Sequence, residues 1–147
     1  MDITEVRIKL ISGSDEKLLA FATITIDGSF VVRDLKIIDG GEGRGLFLAM
    51  PSRKLTMRCS RCGQKNHIRA HYCNHCGLRS NETGSGSQRQ SVTNKRLRLH
   101  ADIAHPVNAQ ARDQVQKAVF DAYHVERERA NTPGYVNRYD EYDAGPE

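Results

Sequence analysis

Residues 18–38 read LLAFATITIDGSFVVRDLKII. Two runs rich in β-branched and aromatic residues, LLAFATITI and FVVRDLKII, flank Asp27-Gly28-Ser29, and Gly28 takes a positive φ at little cost, so the stretch predicts a β-hairpin. Upstream, VRIKLI alternates with period two, placing Val6, Ile8 and Leu10 on one face and Arg7, Lys9 and Ile11 on the other, as in a half-buried strand. Downstream, the glycine-rich turn DGGEGRG leads into LFLAMPS, a fourth strand that Pro51 closes. RLRLHADI offers Leu97, Leu99, Ala101 and Ile103 at alternate positions for a fifth. The expected fold class is α+β: a small antiparallel sheet of about five strands packed with one C-terminal helix.

That helix is AQARDQVQKAVFDAYHVERER, with Asn108 as its N-cap. Ala111, Val115, Ala118, Val119 and Ala122 form a stripe at helical spacing that suits core packing. Phe120 lies off this stripe and is a candidate for a subunit contact, beside the ordinary reading of a single exposed aromatic. Residues 131–147 end acidic and show no periodicity, so they read as a mobile tail.

All four cysteines fall within residues 59–77, CSRCGQKNHIRAHYCNHCG. Each half, Cys59-Ser-Arg-Cys62-Gly63 and Cys73-Asn-His-Cys76-Gly77, has the form of a zinc knuckle: two thiolates three positions apart fold onto one ion, and the glycine allows the turn. Cys59, Cys62, Cys73 and Cys76 are thus the expected ligands of one structural zinc in a zinc ribbon, with iron or a redox dithiol as alternatives. Four thiolates saturate a tetrahedral ion, so His67, His71 and His75 are read as facing solvent or phosphate, and no open position remains for catalysis. The following NETGSGSQRQSVTN has the composition of a flexible linker. The chain divides on this reading into a sheet portion (1–54), the ribbon insert (55–80), the linker (81–95), the last strand and helix (96–130) and the tail (131–147).

At 147 residues, with 38% hydrophobic and 27% charged residues, the chain suits one modest core plus a small insert. No apolar run approaches the roughly 20 residues that span a bilayer. MDITEVRIKL lacks the unbroken apolar region of a signal peptide, so a cytoplasmic location with reduced thiols is expected. The formal net charge of +4 hides a strong asymmetry. Residues 53–100 carry eleven basic residues against the single acid Glu82, a net of +10, while the other eleven bases and seventeen acids give −6. Such a segregated block attracts polyanions.

The blocks MDITEVRIKL, ATITIDGSFVVRDLKIIDG, GLFLAMPSRK and DIAHPVNAQARDQVQKAV resemble, in order, those of the stage V sporulation protein G family (SpoVG), regulators of bacterial septation and sporulation. They cover roughly residues 1–54 and 97–125. The resemblance implies a homodimer that binds DNA and RNA without catalysis, with Arg53 and Lys54, which follow the MPS motif, in contact with nucleic acid. Two departures stand out: Arg33 replaces a histidine usual in the family, and a short turn has become some forty residues holding the cysteines. Arg58, Arg61, Lys65 and Arg69 in that insert would extend the basic surface begun by Arg53 and Lys54. Two readings follow. The first is a non-enzymatic DNA- and RNA-binding regulator. The second is a protein-interaction adaptor whose ribbon docks a protein partner, since Tyr72 is the ribbon's one aromatic for stacking bases.

Overall fold

The computed structural model describes residues 1–13, 17–80 and 98–139. The linker assigned to 81–95 and the end of the tail from residue 140 lie outside the described residues. The chain forms two compact units, Met1–Pro51 with Ile103–Glu147, and Ser52–Asp102.

The first unit holds a four-stranded antiparallel sheet in the order β1 (Ile3–Leu10), β2 (Leu18–Ile26), β3 (Phe30–Asp39), β4 (Leu46–Ala49). The β2–β3 hairpin turns where the sequence places it. Asp27 and Gly28 both adopt left-handed φ, 50° and 64°, and the Ser29 N–H donates to the Ile26 carbonyl at 3.0 Å. Paired positive φ values twist the turn in the sense that matches twisted strands.

One interruption of the alternation is not obvious from the sequence. Ala22 pairs with Leu35 and Ile24 with Val32, so Arg33 and Asp34 together oppose Thr23 in a β-bulge. Asp34 takes φ 63° to accommodate the extra residue. The bulge brings both Val32 and Leu35, three residues apart, to the core side.

The helix α1 (Ala109–Arg129) follows the expected span. Asn108 caps it: the Ala111 N–H donates to Asn108 Oδ1 at 2.8 Å. Its buried residues are Val115, Val119 and Tyr123, spaced four apart. They pack with Ile8, Ala20, Ala22, Ile24, Leu35, Ile37 and Leu48 from the sheet. Tyr123 therefore belongs to the core, whereas Ala118 on the predicted stripe is only half-buried. Phe120, a candidate for a subunit contact from the sequence, is partly buried against this same core within the chain.

The fifth strand does not join the sheet. It shortens to β8 (His100–Asp102) and pairs with β5 (Ser52–Lys54), a strand that begins directly after Pro51. Alternation identifies a strand but does not choose its partner, and here the residues flanking the insert pair with each other. Two further short strands, β6 (Thr56–Arg58) and β7 (Lys65–His67), form the ribbon's own ladder.

Residues 131–139, read as the start of a mobile tail, pack back on the first unit. The Tyr135 hydroxyl donates to Glu126 Oε1 at 2.5 Å, and burial, then the Glu126 carboxylate, pushes that phenol up to about 12. Arg7 donates to the Arg138 carbonyl at 3.0 Å, Lys9 Nζ lies 5.7 Å from the Tyr139 ring centroid, and Tyr139 is buried. The aromatic residues that the acidic composition obscured provide these anchors. Among the described residues, no helix is long and apolar enough to cross a membrane.

Candidate metal centre and basic surface

The two knuckles repeat one backbone design. In the first, the Cys59 N–H donates to the Gln64 carbonyl at 2.8 Å and the Gly63 N–H to the Cys59 carbonyl at 2.9 Å. In the second, the Cys73 N–H donates to the Leu78 carbonyl at 2.8 Å and the Gly77 N–H to the Cys73 carbonyl at 3.0 Å. Gly63 and Gly77 both take left-handed φ, 73° and 75°, which a side chain would oppose. β6 and β7 close the first knuckle, with Thr56 opposite His67, Met57 opposite Asn66 and Arg58 opposite Lys65. A bridge between Tyr72 and Arg79 closes the second.

This geometry brings the four sulfurs together. Cys59 and Cys76 Sγ lie 3.6 Å apart, Cys62 and Cys73 Sγ 3.5 Å apart, and all four are within 4.8 Å of one another. A tetrahedron with metal–sulfur bonds of ~2.3 Å has edges of ~3.8 Å, so the cluster has the dimensions of a four-thiolate site. The cysteines are unbridged by disulfide. His67, His71 and His75 stand outside the cluster, as the saturation argument requires.

The protein also favours negative charge on sulfur. N–H groups of Cys76 and His75 point at Cys73 and, with the Asn66 side chain and Cys62, hold its thiol down at about 5 against desolvation. The matching N–H groups of Cys62 and Arg61 lower Cys59. The Gln64 N–H acts likewise on Cys62, but desolvation and the three neighbouring sulfurs outweigh it and push that thiol up to about 12. Four mutually close thiols cannot all ionise alone; a divalent cation removes that conflict, because a coordinating thiol is deprotonated.

Asn66 is a residue the spacing rules did not single out. It is one of the few buried polar residues. Its Oδ1 accepts from the Asn74 N–H at 2.9 Å and its Nδ2 donates to the Gln64 carbonyl at 3.2 Å, tying the first knuckle to the second. A lone asparagine in a short strand carries no sequence signal for that role.

The predicted nucleic-acid residues are all exposed in the second unit: Arg53 and Lys54 on β5, Arg58 on β6, Arg61 in the first knuckle, Lys65 on β7 and Arg69 after it. Arg58 and Lys65 face each other directly across the ladder. Arg53 and Lys54 pair with Ala101 and His100 at successive positions, so they point to opposite faces of β5 and do not form one contact point.

An antiparallel sheet backed by one helix, with a four-cysteine ribbon inserted between β5 and β8, defines the class of protein. Comparison places it further. The SpoVG family model matches residues 1–125. A protein of Finegoldia magna named "Putative septation protein SpoVG" is 35% identical over 132 residues, 90% of this chain and 82% of that protein. One of the same name from Lachnospira eligens is 36% identical over 123 residues, 84% and 91% of the two chains. "Putative septation protein SpoVG 1" of Listeria monocytogenes serotype 4b is 34% identical over 130 residues, 88% and 85%. The chain belongs to the SpoVG family.

Proposed function

We propose that this chain is a cytoplasmic, non-catalytic regulator of the septation or sporulation type that binds DNA, RNA or both through the basic surface of its Ser52–Asp102 unit. One zinc ion per chain would hold the ribbon, since tetrahedral four-thiolate sites suit zinc and the ribbon has little core of its own.

The observation that carries this reading is the pairing of Arg58 with Lys65. Like charges directly opposite each other destabilise a strand pair, and residues 52–80 contain no carboxylate to relieve them. The reading is that a polyanion supplies counter-charge beyond that of the adjacent thiolate site. Zinc with four thiolates contributes −2, so residues 53–100 retain about +8 when loaded. Arg58→Glu combined with Lys65→Glu is expected to weaken DNA and RNA alike and to lower the salt slope of log K by about 0.9 per lost duplex contact. Arg112→Glu on the exposed side of α1 is the control; it is preferable to Lys117, which is tied to Asp121 at 2.6 Å. An Arg112 variant as damaging as the ribbon pair would show that net charge alone is being read.

The same reading includes a homodimer. β1 and β4 end the sheet, and pairing about a two-fold axis is the common way to cover such edges. Light scattering at micromolar concentration is expected to give twice the chain mass; a monomer mass removes the dimer from the proposal.

A further inference from the structure

The bridge that closes the second knuckle carries an uncovered ring. Four tyrosines fall within the described residues, and three of them are tied into the first unit. Tyr123 is in the core, the Tyr135 hydroxyl donates to Glu126 with the Arg129 guanidinium 5.9 Å from its ring centroid, and Tyr139 is buried beside Lys9. Tyr72 is 60% exposed, and among the described residues neither its ring nor its hydroxyl meets a partner. Its backbone is nevertheless fixed on both sides. The Ser80 N–H donates to the His71 carbonyl at 2.8 Å, and the Cys73 N–H donates to the Leu78 carbonyl at 2.8 Å.

The surroundings of that ring point to one ligand. Tyr72 lies directly opposite Arg79 in the antiparallel bridge, which sets the two side chains next to each other on one face. Arg79 is exposed, and its guanidinium also lacks a partner among the described residues. Aromatic rings and guanidinium planes are both surfaces on which proteins stack unpaired bases. His71, Asn74 and His75, close to Tyr72 along the chain, are exposed and polar, so they do not provide the water-excluding surround of a protein-interface anchor. Charge favours the same ligand, since residues 52–80 contain seven basic residues and no carboxylate. A duplex keeps its bases stacked inside, where an exposed ring has no access to them.

We propose that Tyr72 stacks one unpaired base of a single-stranded nucleic acid and that Arg79 holds the phosphate beside it. The inference rests on the reading of the chain as a nucleic-acid binder. It adds a preference for unpaired strands, which the ribbon's charge does not provide, because phosphates are common to both forms. One ring takes one base, and every base has a π-face, so the contact tolerates any sequence.

The chain contains no tryptophan, so Tyr72→Trp in the full, metal-loaded protein creates a single reporter. Oligo(dT) and oligo(U) of about 16 nucleotides, within the range of known single-strand sites, are the probes, with a DNA duplex of similar length as the comparison. Unlabelled single strands are expected to quench the new tryptophan and the duplex to leave it unchanged. In anisotropy titrations with labelled probes, Tyr72→Ala is expected to weaken single-strand binding about tenfold, the loss of one stacked base, and duplex binding far less. Tyr72→Phe keeps the ring and is expected to keep the affinity, while Arg79→Ala is expected to lower the single-strand salt slope by about 0.7. Metal content equal to that of the wild type shows that the ribbon of each variant is folded. An unquenched tryptophan in a chain that still binds oligo(dT) overturns the inference while leaving the nucleic-acid reading in place. An equal loss of single-strand and duplex binding in Tyr72→Ala does the same. Unchanged affinity for every probe in Tyr72→Ala also overturns it and leaves the exposed ring to a protein contact. A wild-type chain that binds none of the probes defeats both readings together.

Discussion

Cys59→Ser, or Cys73→Ser, is expected to reduce bound metal from one equivalent per chain to near zero and to unfold the ribbon while the sheet and helix remain cooperative. The size of the effect follows from what holds the ribbon. Of its residues, only Cys73 and Asn66 are buried, and the ladder of β6 and β7 is three residues long on each side. Structural zinc contributes on the order of 10 kcal/mol or more to domains of this kind, so losing a ligand leaves little else to offset chain entropy. Elemental analysis gives the metal count, and amide spectra show which segment collapses. The helical signal of Ala109–Arg129 is expected to persist. A variant that retains a full equivalent of metal, or a wild-type protein carrying none or two, would show that the four sulfurs do not form the site.

The reciprocal result is expected from Val119→Asp. Val119 is fully buried in the centre of the sheet–helix core, among residues that all belong to the first unit. A carboxylate there has no partner and costs about 4 kcal/mol or more, a large share of the roughly 5–15 kcal/mol that stabilises an ordinary domain. The helical circular-dichroism signal and the cooperative thermal transition are expected to be lost, with the ribbon still holding its metal. Together the two variants test whether the chain carries two separately stabilised structures. Coincident loss of metal and helix in either variant would show that it does not.

The sequence alone determined those features whose causes are local. The Asp27-Gly28 turn needs only two residues with positive φ, the helix from Ala109 to Arg129 needs its cap and its spacing, and each knuckle needs two cysteines and a glycine within five positions. The order of the blocks was also enough to suggest the family to which the chain belongs. Tertiary structure decided whatever depended on a distant partner. The bulge at Arg33–Asp34 appears only when β3 is laid against β2, because pairing rather than period sets which of Val32 and Leu35 faces the core. β8 pairs with β5 and not with the sheet, a choice that its alternating leucines and alanine do not encode. Tyr123 joins the core and Tyr139 returns to β1, since burial depends on what lies opposite. The pair of Tyr72 and Arg79 is likewise invisible along the chain: its members lie seven residues apart, and only the backbone bridge across the second knuckle makes them neighbours.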